Sequence, residues 1–219
     1  MELRYAEPMP ARRGEQDFGP APLVPIACAA NRRMNPATHI RGVFLATSVR
    51  ALRDHGLFDA YAARVPPLQV EEVRSIAISA WVSMEVALRH YAACDTLDVS
   101  DGELVSMGAE VIVRGQGSFL RVLARVAESA GATPATLLEQ APRIYGHIFL
   151  GGTIAAHKVG PREMRIELAD WPLARFRYCR QGVRGGAEAV AQMLCHKAYT
   201  RVLPDLCGES AFAFQIGWT

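Results

Sequence analysis

The chain has 219 residues, which is long enough to bury a hydrophobic core and fits one domain with extensions. Half of its residues are hydrophobic and 21% are charged, a composition that excludes a wholly disordered chain. The net charge is only +2, from 24 basic and 22 acidic residues, so the overall charge indicates neither a nucleic-acid partner nor a membrane surface.

Five cysteines are scattered along the chain, and none forms a Cys-x-x-Cys pair. This pattern disfavours a disulfide framework and indicates a reducing compartment. The longest apolar run near the N-terminus, residues 23–30, is far shorter than the roughly 18 residues that span a bilayer. We therefore expect a cytoplasmic protein with no membrane insertion.

The N-terminal region is rich in proline, with six of the 13 prolines among the first 36 residues. Proline fixes φ and donates no backbone hydrogen bond, so residues 1–38 are predicted to form an extended, partly disordered arm. Residues 39–219 are predicted to form a single α+β domain, with helices over residues 40–150 and a sheet with one helix over residues 153–219.

Helical spacing of apolar residues dominates the first part of this domain. A helix over residues 41–54 is predicted to end at Gly56. Residues 70–91 repeat apolar side chains at three- and four-residue steps and predict one long core helix. Ser100 and Glu103 form a capping box for a helix towards Val113. Further helices are predicted over residues 119–130 and from Thr133-Pro134 to about residue 149.

The period then changes to two, which is typical of strands. Residues 153–158 and 164–168 predict one hairpin, and residues 199–203 and 211–218 predict a second. Residues 176–196 between them predict a helix that contains Gly182, Gly185 and Gly186, where a neighbouring group can approach closely. The predicted fold is α+β, with the helical part packed on a four-stranded antiparallel sheet of hairpin-helix-hairpin order.

This order resembles the superfamily that contains the haem nitric-oxide/oxygen-binding (H-NOX) domains, the 4-vinyl-reductase ligand-binding domains and the Bet3-like trafficking subunits. More narrowly, residues 40–219 resemble a paralogous myxobacterial protein family. The stretches that carry this narrower resemblance are Arg41-Gly42-Val43-Phe44-Leu45, Phe119-Leu120, Pro142-Arg143-Ile144-Tyr145 and Phe214-Gln215-Ile216-Gly217-Trp218. The resemblance implies a ligand-binding or interaction fold.

The H-NOX resemblance implies haem, held by one proximal histidine and by a Tyr-x-Ser-x-Arg motif. His147 lies at about the expected distance before residues 176–180, which keep Arg180 and the following Gly182. The same window has Phe176 in place of the tyrosine and Tyr178 in place of the serine. These departures disfavour haem, so we expect no cofactor and keep haem binding through His147 as an alternative.

Two further groups are candidates for ligand contacts. Arg177, Arg180 and Arg184 fall on one helical face, where they can receive an anion or pair with local acids. Large apolar residues with helical or strand spacing can line a pocket or fill the core, namely Trp81, Met84, Tyr91, Phe119 and Trp218.

Catalytic and metal motifs are missing from the sequence. There is no Gly-x-Ser-x-Gly elbow, no His-Glu-x-x-His and no phosphate loop ending in Lys-Ser/Thr. Cys179, Cys195 and His196 have suitable ligand types for zinc but lack the paired spacing of zinc sites, so no metal site is predicted. We therefore expect no enzymatic activity.

The leading hypothesis is a sensory or regulatory module that binds a small apolar or amphipathic ligand between helices and sheet. Its candidate ligand-binding residues are Arg180, Tyr178, Gly182, Arg184, Trp81 and Phe119. An interaction module that forms a homodimer through the helix over residues 70–91 is one alternative, and a degenerate haem-binding gas sensor is another.

Overall fold

A computed structural model describes residues 35–114 and 131–219. The helices in these ranges are α1 (Gly42–Asp54), α2 (Phe58–Ala62), α3 (Pro67–Arg74), α4 (Met84–Asp95), α5 (Asp101–Arg114), α6 (Pro134–Leu138), α7 (Ala141–Ile148) and α8 (Arg177–Gln192). The strands are β1 (His39–Arg41), β2 (Trp81–Ser83), β3 (Phe149–Leu150), β4 (Thr153–Gly160), β5 (Glu163–Ala169), β6 (Ala198–Val202) and β7 (Phe212–Trp218).

The C-terminal part forms the predicted four-stranded antiparallel sheet. Its strand order is β4-β5-β7-β6, and α8 connects the two hairpins. Ile166 lies opposite Phe214, so the alternating apolar residues of β5 and β7 share one face of the sheet and are buried. The α+β fold class and both hairpins are confirmed.

A second sheet of three short strands, in the order β2-β1-β3, was not predicted. Its strand β2 lies in a segment that was predicted to be helical. The prediction of one helix over residues 70–91 is wrong, because α3 ends at Arg74 and Trp81–Ser83 pairs with β1. The backbone carbonyls of Ile78 and Ala80 accept hydrogen bonds from the start of α1. These bonds hold the segment in a non-helical path, and a new helix then begins at Met84.

The predicted helix from Thr133 to residue 149 is also two helices, α6 and α7. Its N-terminal cap is confirmed, since the Thr133 side chain accepts a hydrogen bond from the Thr136 amide. Pro142 lies in the first turn of α7 and has no N–H to donate to Leu138, so the helix ends and restarts there. The Ser100–Glu103 capping box is confirmed, and Gly56 follows α1 with a φ of +69°.

Helices α5 and α8 cross backbone against backbone, because glycines of both helices meet at the crossing. A Cβ on Gly108 would overlap the carbonyl oxygen of Gly182, and a Cβ on Gly185 would overlap that of Val105. The sequence predicted that a neighbouring group approaches the glycines of α8 closely. At Gly185 this is confirmed, and the neighbouring group is the backbone of α5. A Cβ on Gly182 itself would meet no atom within 4 Å.

Two predictions concern residues outside the described ranges, namely most of the arm over residues 1–38 and the helix over residues 119–130. Within the described ranges, no helix combines the length and the apolar character needed to cross a membrane.

The glycine crossing predicts opposite effects of alanine at two neighbouring positions of α8. Gly185→Ala is expected to lower the free energy of unfolding by about 3 kcal/mol, because its methyl group overlaps the α5 backbone. Gly182→Ala is expected to raise it by up to about 1 kcal/mol, because alanine favours the helix and has open space. Urea unfolding of both variants measures the difference, and equal effects would contradict the crossing.

Candidate ligand-binding cavity

A cavity of about 240 Å³ lies between the helices and the inner face of the four-stranded sheet. Its described walls come mainly from α1, α5, α7 and α8 and from β4, β5 and β7, with further residues from β1, α4, α6 and β3. The apolar side chains that line it include Ile40, Phe44, Leu104, Met107, Ile112, Ile144, Ile148, Phe149, Ile154, Ile166, Leu168, Val183 and Phe214. A hydrophobic molecule that enters this space leaves water, and this transfer favours binding.

No charged side chain of the described residues lines this cavity. The described lining residues that carry a polar group are Ser48, Tyr91, Tyr145, Trp171, Tyr178 and Cys179. An ionised ligand would therefore lose its hydration without gaining an opposite charge, which costs far more than the transfer of a neutral molecule. The described lining favours a neutral ligand.

A chain of buried hydrogen bonds lies behind one wall. The Tyr61 hydroxyl is 2.8 Å from His90 Nδ1, and His90 Nε2 is 3.0 Å from Ser48 Oγ. Ser48 Oγ is 3.1 Å from the Tyr178 hydroxyl, and the Cys94 thiol is 3.6 Å from His90 Nε2. This network joins α1, α2, α4 and α8, so it positions Ser48 and Tyr178 at the cavity wall.

Burial keeps the members of this network uncharged. Desolvation lowers the pKa of His90 to about 3 and raises the pKa of the Cys94 thiol far above its ordinary value. The pKa values of Tyr91, Tyr178 and Cys179 are also raised well above their usual range, first by burial and then by neighbouring ionisable groups. At neutral pH these groups are hydrogen-bonding groups without charge.

Two of the predicted ligand-binding residues, Tyr178 and Gly182, line the cavity. Two others have protein partners instead. Arg180 donates 2.7 Å and 3.2 Å hydrogen bonds to the carbonyl oxygens of Ala174 and Arg175. Arg184 donates to Thr200 at the Oγ1 atom and at the carbonyl oxygen, so neither guanidinium faces the cavity.

The remaining candidates lie elsewhere. Trp81 is stacked under the Arg41 guanidinium, 3.8 Å from the ring centroid, and does not line the cavity. Arg177 binds Asp101 at 2.7 Å, so the third arginine of the predicted stripe also pairs locally. Phe119 lies outside the described residues, and His147 is exposed on α7.

The sequence analysis did not identify Ser48, His90, Tyr145 or Trp171 as site residues. Ser48 and Tyr178 meet although 130 positions separate them. A lone serine within an apolar helix and a tryptophan before a proline are common in cores, so no local pattern in the sequence distinguishes them. Their clustering depends on the tertiary fold.

Comparison with solved structures identifies the fold. An unliganded Fe(II) point mutant of the H-NOX protein from K. algicida superposes with a TM-score of 0.58 at 14% identity, over 82% of this chain and 97% of that chain. The non-mutant K. algicida protein gives 0.57 at 13% identity, with the same two coverages. A point mutant of T. tengcongensis H-NOX gives 0.55 at 16% identity, over 82% and 98% of the chains. The chain has an H-NOX-like fold.

No protein-family model and no curated protein matches the chain. The likeness to the solved structures thus concerns the fold, and the ligand has to be inferred from the cavity itself.

The described wall of the cavity offers haem iron no histidine and one thioether, that of Met107. All six histidines of the chain lie in the described ranges, and none of them lines the cavity. His90 is bonded to the wall residue Ser48, and Tyr61 and Ser48 occupy its two ring nitrogens. Burial raises the pKa values of Tyr91, Tyr178 and Cys179 at the wall, which disfavours the ionised forms that bind iron.

The buried imidazole predicts a pH dependence of stability. Between pH 6.5 and pH 5, the unfolded chain takes up about half a proton at His90 that the folded protein does not take up. The free energy of unfolding should therefore fall by about 1.5 kcal/mol more in the wild type than in His90→Gln over this interval. Urea unfolding at the two pH values checks this.

The exposed His147 supplies the control for this experiment. The His147→Gln variant should keep the full wild-type pH dependence. The prediction fails if His90→Gln loses stability on acidification as steeply as the wild type does.

Proposed function

We propose that this protein is a ligand-binding module of H-NOX-like fold that holds a small, neutral, largely apolar molecule between its helices and its sheet. The observation that carries the proposal is the cavity of about 240 Å³ with an apolar lining. A smaller apolar cavity of about 150 Å³ already binds benzene in an engineered protein, so this volume suffices for a somewhat larger molecule. Pockets for drug-sized ligands are about 300–1,000 Å³, which favours a ligand below that size.

The module acts by binding and not by turnover. The residues described at the wall include Ser48 next to His90, which is the nearest approach to a nucleophile and a base. Burial lowers the pKa of His90 to about 3, so this imidazole is a weak base for removing the serine proton. A sensory or regulatory role in the cytoplasm follows as part of the same proposal, because a bound ligand stabilises the state that binds it.

A second candidate is a haem-binding gas sensor, which the solved neighbours favour. One of them is described by the distortion of its haem and another as Fe(II) H-NOX. Two observations disfavour this candidate. Both ring nitrogens of His90 already have hydrogen-bond partners, and His147 is exposed. We also retain the proposal that the chain belongs to the paralogous myxobacterial family, on the residues given above.

The alternative of a homodimer was proposed through one helix over residues 70–91, and that helix is absent from the described structure. The proposed contact required one continuous amphipathic helix, but this segment is divided into α3, a turn, β2 and α4. We therefore propose a small-molecule ligand as the principal partner, and a homodimer through another surface stays a hypothesis.

The proposal predicts that an apolar probe stabilises the protein through the cavity. Ethylbenzene at about ten times its Kd should raise the melting temperature by roughly 3–6 °C, because it binds the folded state only. Gly182→Leu should abolish this shift, since its side chain enters the space next to Gly182. Differential scanning calorimetry with and without the probe measures both effects.

Gly102→Leu is the matched control. Gly102 is exposed in the first turn of α5, and a Cβ there also meets no atom within 4 Å. This variant should keep the full shift. No shift in the wild type, or an equal shift in Gly182→Leu, would contradict binding in the cavity.

Haem titration separates the two candidate functions. We expect haemin to give no stoichiometric Soret band with the wild type, and His147→Ala to give the same spectrum, because His147 is exposed away from the cavity. A Soret band of one haem per chain that disappears in His147→Ala would support the gas sensor and contradict the neutral apolar ligand.

A further inference from the structure

The outer face of the four-stranded sheet, which points away from the helices, carries two charged side chains that are almost buried. On β5, Ile166 and Leu168 line the cavity at the inner face. Arg165 and Glu167 alternate with them and therefore belong to the outer face. Arg165 is only 7% exposed, and the side chain of Glu167 only 12%. Charged side chains on an open face of a sheet are ordinarily in contact with water, so this part of the face is covered.

The described helices that contact the sheet do not provide this cover. Helices α6, α7 and α8 contact the sheet from its inner side, where they also line the cavity. On the outer face, Arg165 Nε lies 2.8 Å from Glu167 Oε1, so the two charges pair with each other. A pair of opposite charges tolerates an apolar cover better than a single charge does. The cover therefore need not contribute a charge of its own.

The cover is limited to one part of the outer face. Tyr199 of β6 points to the same face, because it lies opposite Gly217 and a Cβ on Gly217 would overlap its ring. Tyr199 is nevertheless 50% exposed, and Arg201 on the same strand is exposed as well. Val159, beside the turn between β4 and β5, is also exposed. The covered charges thus lie away from β6 and away from this turn.

Asn35, the residue that follows the N-terminal segment 1–34, is held at the opposite end of the β4–β5 hairpin from this turn. Its carbonyl oxygen accepts a 2.7 Å hydrogen bond from the amide of Gly152, which directly precedes β4. The Ala37 amide donates a 2.8 Å hydrogen bond to the carbonyl oxygen of Asp170, which directly follows β5. The N-terminal segment therefore joins the fold at the two strands whose outer face is covered.

The N-terminal segment has the length and the chemistry for this cover. Its apolar run, residues 23–30, is uncharged and lies five to twelve residues before Asn35. At about 3.3 Å per residue, an extended chain of that length reaches roughly 16–40 Å, whereas four strands about 4.8 Å apart are only roughly 15 Å wide. Apolar side chains of the run can exclude water from the paired charges without adding an unpaired one.

We propose that the N-terminal segment docks on the outer face of β4 and β5, with its apolar run against Arg165 and Glu167 and against Ala155, which lies opposite Glu167. The partner of this surface is thus a segment of the same chain. The inference concerns the face of the sheet opposite the cavity, so it is independent of the ligand proposed above.

Cross-linking of the full chain tests the docking. Cys28 lies in the apolar run, and Ala155→Cys places a second thiol on the outer face. Cys195 and Cys207 are replaced by serine, because these thiols are not fully buried and would compete for the reagent. A short bismaleimide should join Cys28 to the introduced thiol within one chain, and mass spectrometry of the peptides identifies the joined pair.

Leu68→Cys is the matched control, because Leu68 is exposed on α3 in the helical part. Its thiol should be joined to Cys28 about tenfold less, since a docked segment is concentrated at one surface. Equal yields from the two variants, or no link in Ala155→Cys, would overturn the inference. A mixture of isotopically light and heavy chains identifies a different occupant. A link between a light and a heavy chain would show that a second copy covers the face, which would also overturn it.

Ile26→Asp in the Ala155→Cys chain tests the apolar run itself. The carboxylate would lose its hydration against the sheet, so the yield of the link should fall about tenfold. Gln16→Asp adds the same charge to the segment outside the run and should leave the yield unchanged. An undiminished yield in Ile26→Asp would show that the run does not form the contact and would overturn the inference. Circular dichroism checks that each variant is folded.

Discussion

The backbone contact between α5 and α8 is the constraint on which the rest of the site depends. Gly108 of α5 and Gly185 of α8 bring the two helices so close that side chains cannot lie between them at the crossing. Residues on either side of the crossing, such as Ile112 and Val183, then surround the cavity. The cavity is therefore a consequence of how α8 docks, and its volume depends on glycines that a helix would otherwise avoid.

The chain has the H-NOX-like architecture, and the described wall of its cavity is apolar and uncharged. Haem iron is held by imidazole, by an ionised thiolate or phenolate, or by a thioether, and of these the described wall offers only the thioether of Met107 without loss of a proton. The His90 imidazole, which is bonded to the wall residue Ser48, serves a structural network between four helices. A fold can retain a cavity while the side chains around it change function, since packing and recognition depend on different residues.

Sequence patterns predicted the elements that depend on residues close together in the chain. Alternating residues in β5 and β7 identified both hairpins, and the caps at Ser100 and Thr133 marked true helix starts. The prediction for residues 70–91 was wrong because a strand of three residues is too short to show an alternating pattern. Strand β2 is defined by its pairing with β1, which is distant in the sequence. Likewise, the hydrogen bond between Ser48 and Tyr178 depends on the whole fold and has no sequence signal.

The central claim is that the cavity holds a small, neutral, largely apolar molecule. Mass spectrometry of small molecules released from the purified full chain, compared with those from Gly182→Leu, tests it most directly. We predict that a neutral, largely apolar compound is released from the wild type and is missing from the variant. Release of haem or of a carboxylate from the wild type, or the same compound from both proteins, would contradict the account.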